Sequence, residues 1–288
     1  MKKFAGIVLS AMLAVSCLAG CGKSDGFDAS KSISMITREQ GSGTRGAFIE
    51  LFGIEQKDES GNKVDYTTKE ALIQNNTNAV LTAVAGDVYA VGYVSLGSLN
   101  DTVKAVKIDG AEATVDNIKN GSYTIQRPFN IATKGEVSEA AQDFIDYIMS
   151  EEGQKVIEDN GYISAAEGEA YTASGLSGKI VVSGSSSVTP VMEKLKEAYI
   201  ALNPDVSIEV QEHDSTAGMN DTIEGVCDIG MASREVKDSE KEAGLQELTI
   251  AIDGLAVIVN KDCPIENLTK DQIKGIYTGT VTSWKEVQ

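Results

Sequence analysis

The chain is poor in the residues that most often carry chemistry. It has one histidine, His213, and four cysteines, Cys17, Cys21, Cys227 and Cys263. No CxxC and no Cys/His spacing suggests a zinc site, so no metal and no cofactor is expected. Positive charge is also scarce: 25 Lys and Arg face 43 Asp and Glu, a net charge of −18. That balance argues against nucleic acid and against an electrostatic membrane patch. The apolar run from Phe4 to Leu18 is too short and too poorly flanked for a lasting transmembrane helix. No G-x-S-x-G motif frames Ser215, and the nearness of His213 to it in sequence does not make a nucleophile and its base. No internal repeat and no long low-complexity tract stands out.

What is present is one local design, used three times. An apolar strand runs into a Ser/Thr/Gly turn, and a helical pattern follows. Ile33-Ser-Met-Ile-Thr37 leads through Arg38-Glu-Gln-Gly-Ser-Gly-Thr-Arg45 to Ala47, Phe48 and Leu51. Lys179-Ile-Val-Val182 leads through Ser183-Gly-Ser-Ser-Ser187 to Met192, Leu195 and Tyr199. Ser207-Ile-Glu-Val210 leads through Asp214-Ser-Thr-Ala-Gly218 to Met219 and Ile223. Such turns leave backbone N–H groups free at helix starts, with hydroxyl donors beside them. One turn is ordinary capping. Three, one of them carrying Arg38 and Arg45, point to anion binding.

The acidity opposes long-range attraction of an anion. Without Lys2 and Lys3 the net charge would be −20. At physiological salt the Debye length is about 8 Å, so local dipoles, hydroxyls and one or two Arg decide the outcome.

Met1-Lys2-Lys3, a short apolar core and the small residues Leu18-Ala-Gly20 before Cys21 describe a secretory signal. Its end resembles the lipobox of bacterial lipoproteins, in which Cys21 would be lipidated. Residues 1–20 would then be a signal peptide and 21–32 a flexible tether. The mature chain would sit on the outer face of the cytoplasmic membrane. An export address permits a disulfide, but Cys227 and Cys263 fit better as two separate small buried residues.

About 268 mature residues exceed what one small core needs, so two lobes are expected. Strands alternating with helical patterns indicate an α/β fold. Ala141-Phe144-Ile145-Ile148 and Met192-Leu195-Tyr199-Leu202 are helical stripes, the second stopped by Asn203-Pro204. Val91–Val94, Val103–Ile108 and Leu255–Val259 read as strands. Ser164 to Gly178 has no apolar period and reads as a surface linker. Tyr89, Tyr93 and Trp284 are expected to pack in a core or at a lobe surface.

Together, Gly184-Ser-Ser-Ser-Val-Thr-Pro190, Asp214-Ser-Thr-Ala-Gly218, Asp228-Ile-Gly-Met-Ala-Ser-Arg234 and Arg38-Glu-Gln-Gly-Ser-Gly-Thr-Arg45 resemble the phosphate-binding proteins of bacterial ABC phosphate importers. The resemblance covers nearly all of the mature chain. It implies a two-lobed, periplasmic-binding-protein-like (type II) α/β fold, with mixed sheets flanked by helices and a ligand cleft between the lobes. It further implies a monomer that binds inorganic phosphate, performs no chemistry and delivers its ligand to membrane permease subunits. The order of the pieces is rotated relative to that family, so the chain looks circularly permuted, with 164–178 joining the former ends. One lobe would be 120–256. The other would combine 33–119 with 257–288. The crossings would fall near Ile250–Ala256 and Thr124–Asn130.

The resemblance also assigns site residues. Ser186 and Ser187 match donors of the first turn, through backbone N–H and hydroxyl; Ser215 matches the hydroxyl of the second. Arg38 matches the ion-pairing arginine, and Ser42, Gly43 and Thr44 match the helix-start donors. Ser233 and Gln40 stand where relatives place Asp. One of these, or Glu39, would accept the proton of hydrogen phosphate. The alternatives are another tetrahedral oxyanion, such as sulfate, or an extracytoplasmic phosphoester hydrolase, against which the missing metal-ligand cluster argues.

Overall fold

A computed structural model describes residues 26–287. The expected signal peptide and Cys21 lie outside them.

The chain opens with β1 (Ser34–Arg38) and α1 (Gly43–Leu51), then a hairpin of β2 (Glu55–Lys57) and β3 (Lys63–Asp65). β4 (Leu72–Gln74), α2 (Thr77–Ala85), β5 (Ala90–Ser95), β6 (Val103–Ala105), β7 (Lys107–Ile108) and α3 (Val115–Lys119) follow. Next come β8 (Gln126–Lys134), α4 (Glu139–Met149), α5 (Glu151–Asp159) and β9 (Ile163–Ser164). The segment closes with β10 (Gly178–Ser185), α6 (Thr189–Leu202), β11 (Val206–His213), α7 (Ser215–Glu224) and β12 (Ile229–Ala232). Last are α8 (Asp238–Glu242), β13 (Leu245–Asn260), β14 (Asn267–Leu268) and α9 (Lys270–Thr278).

One curled mixed sheet runs in the order β11-β10-β12-β8-β13-β5-β1-β4. Its spine is β13, whose 16 residues are long enough to serve two bodies. Leu245–Gly254 pair antiparallel with β8, and Leu255–Val259 pair with β5. From Leu255 onward every residue of β13 is buried, the mark of a strand covered on both faces.

Two hydrophobic bodies lie along that spine, each a large cluster with a smaller one on the other face of the sheet. One gathers Phe129, Phe144, Ile148, Ile180, Leu195 and Ile250. The other gathers Phe48, Tyr93, Leu255, Val257, Ile276 and Trp284. Tyr123, Ile125 and Leu255, on the far side of the expected boundaries at 120 and 256, pack in this second body. The change of body falls between Ile125 and Phe129 on one chain passage and between Ala251 and Leu255 on the other. Each passage crosses within a continuous strand, so side-chain packing, not loop composition, decides where one body stops.

The α4 stripe is buried as its spacing requires, with Ser138 capping the N–H of Ala141. In α6, Met192, Leu195 and Tyr199 are buried, but Leu202 is 46% exposed. The expected strand Val103–Ile108 is divided at Val106: its N–H still bonds Val257 O in the register of β6 with β13, whereas Lys107 N turns to Glu266 O and β7 pairs with β14. The stretch 165–177 has no helix or strand, yet it is pinned down. The Tyr171 hydroxyl donates to Asp143 at 2.6 Å, and its ring packs edge-on against Tyr147. Tyr93 stacks on Phe48 at 3.8 Å, and the buried Trp284 donates to Tyr89 O. Cys227 and Cys263 are both buried and free.

Candidate functional site

All three Ser/Thr/Gly turns become strand–turn–helix junctions. β1 runs into α1, β10 into α6 and β11 into α7. At the first junction Ser42 is the N-cap, its Oγ accepting from Arg45 N at 3.3 Å. The Ser42 oxygen thus serves the helix as an acceptor, which leaves its O–H proton available to donate. Gly43 and Thr44, as the first helical residues, have N–H groups that precede any intrahelical acceptor. Thr44 Oγ1 lies 2.7 Å from Ser187 Oγ and 3.5 Å from Ser233 Oγ.

At the second junction the backbone is already engaged. Ser186 N donates to His213 O at 2.9 Å and Ser187 N to Ser185 Oγ at 3.3 Å. The hydroxyls of Ser186 and Ser187 therefore face the cluster, while their N–H groups hold the turn. Arg38 Nη2 donates to Ser186 Oγ at 3.1 Å. At the third junction Asp214 caps α7 by accepting from Ala217 N, and Ser215 Oγ accepts from Ser233 N at 3.2 Å. Ser185 Oγ donates to Ser233 Oγ at 2.9 Å, and Ser215 Oγ lies 3.5 Å from it.

A fourth junction had no expectation attached. β4 runs into α2, where Asn76 caps Ala79 N. The next residue, Thr77, sets Oγ1 3.3 Å from both Ser186 Oγ and Ser187 Oγ. The signal was Asn76-Thr77 ahead of Val80, Leu81 and Val84, an N-cap before a helical stripe. It was masked because β4 has only three residues and exposes Leu72 and Ile73.

Arg38 is 2% exposed. Its Nε and Nη2 donate to the two carboxylate oxygens of Glu39 at 2.7 and 2.6 Å, a bidentate pair. Beneath it, Tyr93 Oη accepts from Arg38 N and lies 2.8 Å from Thr37 Oγ1. Burial pushes the Tyr93 hydroxyl pKa up, so it stays protonated as a neutral partner. Arg45 points elsewhere: it donates to Asp65 Oδ2 at 2.9 and 2.7 Å and to Arg38 O at 2.7 Å. Gln40 is exposed and lines an outer groove with Arg45, Thr216 and Lys237. The structure sets it apart from the hydroxyls it was expected to join.

The junctions therefore bring six hydroxyls and one guanidinium together. Thr44, Thr77 and Arg38 come from one hydrophobic body; Ser186, Ser187, Ser215 and Ser233 come from the other, with Ser185 behind them. Ser187, Ser215 and Ser233 are fully buried. Among the described residues, no carboxylate bonds to any of these hydroxyls. Four helix starts, hydroxyl donors and an arginine suit an oxyanion. The exposed His213 engages the turn through its carbonyl, while buried Ser215 faces Ser233. That is not a nucleophile–base arrangement. No group of three or more His, Cys, Asp or Glu that could hold a metal occurs among the described residues.

Comparison with known proteins agrees with this geometry. Residues 169–288 match the family model described as a PBP superfamily domain, and residues 56–163 match bacterial extracellular solute-binding protein. The phosphate-binding protein PstS 2 of Streptococcus agalactiae is 50% identical over 287 residues, 99% of this chain and 98% of its own. The chain belongs to the PstS family. A crystal structure of a phosphate ABC transporter, phosphate-binding protein, from Streptococcus pneumoniae has a TM-score of 0.70 and 45% identity. That match covers 89% of this chain and all of the solved one. The PstS of Staphylococcus haemolyticus is 39% identical over only 119 residues, 39% of this chain and 38% of its own. Against that Staphylococcus protein the match thus stops well short of either chain.

Proposed function

We propose that this protein captures inorganic phosphate outside the cytoplasmic membrane and delivers it to the permease subunits of an ABC importer. One observation carries the reading: hydroxyls from two hydrophobic bodies meet around the buried Arg38. The relatives named above are binding proteins of a transport system, and this chain acts by binding alone, without catalysis. Phosphate held between the bodies would draw them together as lobes. The closed form then marks the loaded protein for the permease. The lobes divide near residues 126–128 and 252–254, where the packing changes sides. Cys21 carries the lipid anchor in this reading, and the protein works as a monomer. Proteins of this family are extracytoplasmic, and among the described residues no helix is long and apolar enough to cross a membrane.

Titration calorimetry with phosphate, sulfate and arsenate tests the ligand. Hydrogen phosphate offers a proton that sulfate lacks, and Ser233 Oγ is the neutral acceptor at hand. Without a carboxylate acceptor the preference for phosphate should be modest, about ten- to hundredfold, the equivalent of one hydrogen bond lost or gained. Ser233→Asp should widen that gap, whereas Gln40→Asp, on the outer groove, should leave it unchanged. Sulfate binding as tightly as phosphate would overturn the ligand.

The rotated motif order supports a circular permutation, and the short collinear match to the Staphylococcus haemolyticus protein fits it. Joining Gln288 to Ile33 through a short linker and opening the chain within 165–177 should yield a folded, phosphate-binding protein. The pinning of that segment by Tyr171 predicts a loss of stability of about 1–2 kcal/mol, from one buried hydrogen bond and an aromatic contact. Loss of folding at every linker length tried would count against the permutation.

A further inference from the structure

The most deeply buried charges outside the hydroxyl cluster are Arg127 and Asp253, 4% and 0% exposed. They face each other in register on β8 and β13, the two strands that pass between the hydrophobic bodies. Arg127 Nε and Nη2 both donate to Asp253 Oδ2 at 3.1 Å. The remaining arm, Nη1, donates to Ser233 O at 3.2 Å, directly behind the residue that gathers Ser185, Ser215 and Thr44. Asp253 Oδ1 accepts from Ser95 Oγ at 2.7 Å, at the end of β5 in the other body. The pair thus forms a chain from the Ser233 turn, through both crossing strands, to the opposite core.

Breaking one side of such a pair leaves a buried charge unmet, whereas a hydrophobic pair of the same volume can be as stable. Stability alone therefore gives little reason to keep two charges at this crossing. We propose that Arg127, held by Asp253, is a positioning residue for the anion site: it fixes the Ser233 turn and ties that turn's placement to the approach of the two bodies. This rests on the reading of the cluster as a phosphate site and adds to it two residues that touch no anion.

The test is a double-mutant cycle on the full chain, read by phosphate titration and by thermal melting. Wild-type protein that fails to bind phosphate would refute the phosphate reading itself, separately from this proposal. Arg127→Lys keeps the charge but loses the fork that spans Asp253 and Ser233. We expect it to bind phosphate about 10- to 100-fold more weakly at temperatures far below its melting point. In that background Ser233→Ala should cost less than a third of the factor it costs in wild type, because the turn is already loose. Additive losses, or unchanged affinity in a folded Arg127→Lys, would overturn the proposal. Should Arg127→Lys not fold, Ser95→Ala removes only the far hydroxyl and is judged by the same cycle.

Discussion

Arg38→Ala should weaken phosphate binding by several hundredfold or more, and Arg45→Ala by no more than about tenfold. The two arginines belong to one motif and differ in what they reach. Arg38 is buried and donates to Ser186 across the junction between the bodies. Arg45 is turned to Asp65 on the hairpin and supports only the carbonyl of Arg38. Removing Arg38 deletes the guanidinium of the cluster and strands the Glu39 carboxylate beside an anion. Breaking a buried charge arrangement in this way costs about 3–5 kcal/mol. Losing Arg45 breaks a pair at the edge of solvent and loosens one turn, about 1 kcal/mol. Calorimetry on both variants, with melting curves to show that each is folded, decides the matter. Equal and small losses would remove Arg38 from the site.

Local signals in the sequence carried much of this architecture. Each of the three Ser/Thr/Gly turns leads into a helix in the structure: Ser42 and Asp214 cap α1 and α7, α6 follows Val188 with Pro190 in its first turn, and the apolar stripe behind each acts within a few residues. The strand that became the spine was visible as Leu255–Val259, since burial on both faces leaves a continuous apolar run. What stayed hidden depends on distant partners. Thr77 joins the site only because β4 pairs with β1, and a three-residue strand with two exposed apolar side chains does not announce itself. Gln40 was expected at the site from its place in the motif. The turn that lets Ser42 cap α1 leaves Gln40 outside. Ser186 was expected to offer its N–H, but β11 arrives beside β10 and His213 O takes it. Arg127 and Asp253 lie 126 positions apart, and only the pairing of β8 with β13 makes them one unit.

Gly43→Ala should cost phosphate affinity at least a hundredfold while leaving the melting temperature of the unliganded protein unchanged or slightly raised. A β-carbon on Gly43 would lie 2.5 Å from Ser215 Oγ and 2.8 Å from Ser233 Oγ. Both atoms belong to the opposite hydrophobic body, so the collision arises only when the bodies meet. Within its own body the position accepts alanine: Gly43 opens α1 without a positive φ, and alanine favours a helix by up to about 1 kcal/mol. Gly46, one turn further along α1, has open space where its β-carbon would go. Gly46→Ala should therefore raise stability by a similar amount and leave binding intact, which makes it the matched control. Small-angle scattering with and without phosphate supplies the second readout. Wild type and Gly46→Ala should contract on adding phosphate, and Gly43→Ala should not. If Gly43→Ala binds and contracts as wild type does, then the contact of Gly43 with Ser215 and Ser233 plays no part in capture. The meeting of the two bodies at the hydroxyl cluster would then not be the binding event.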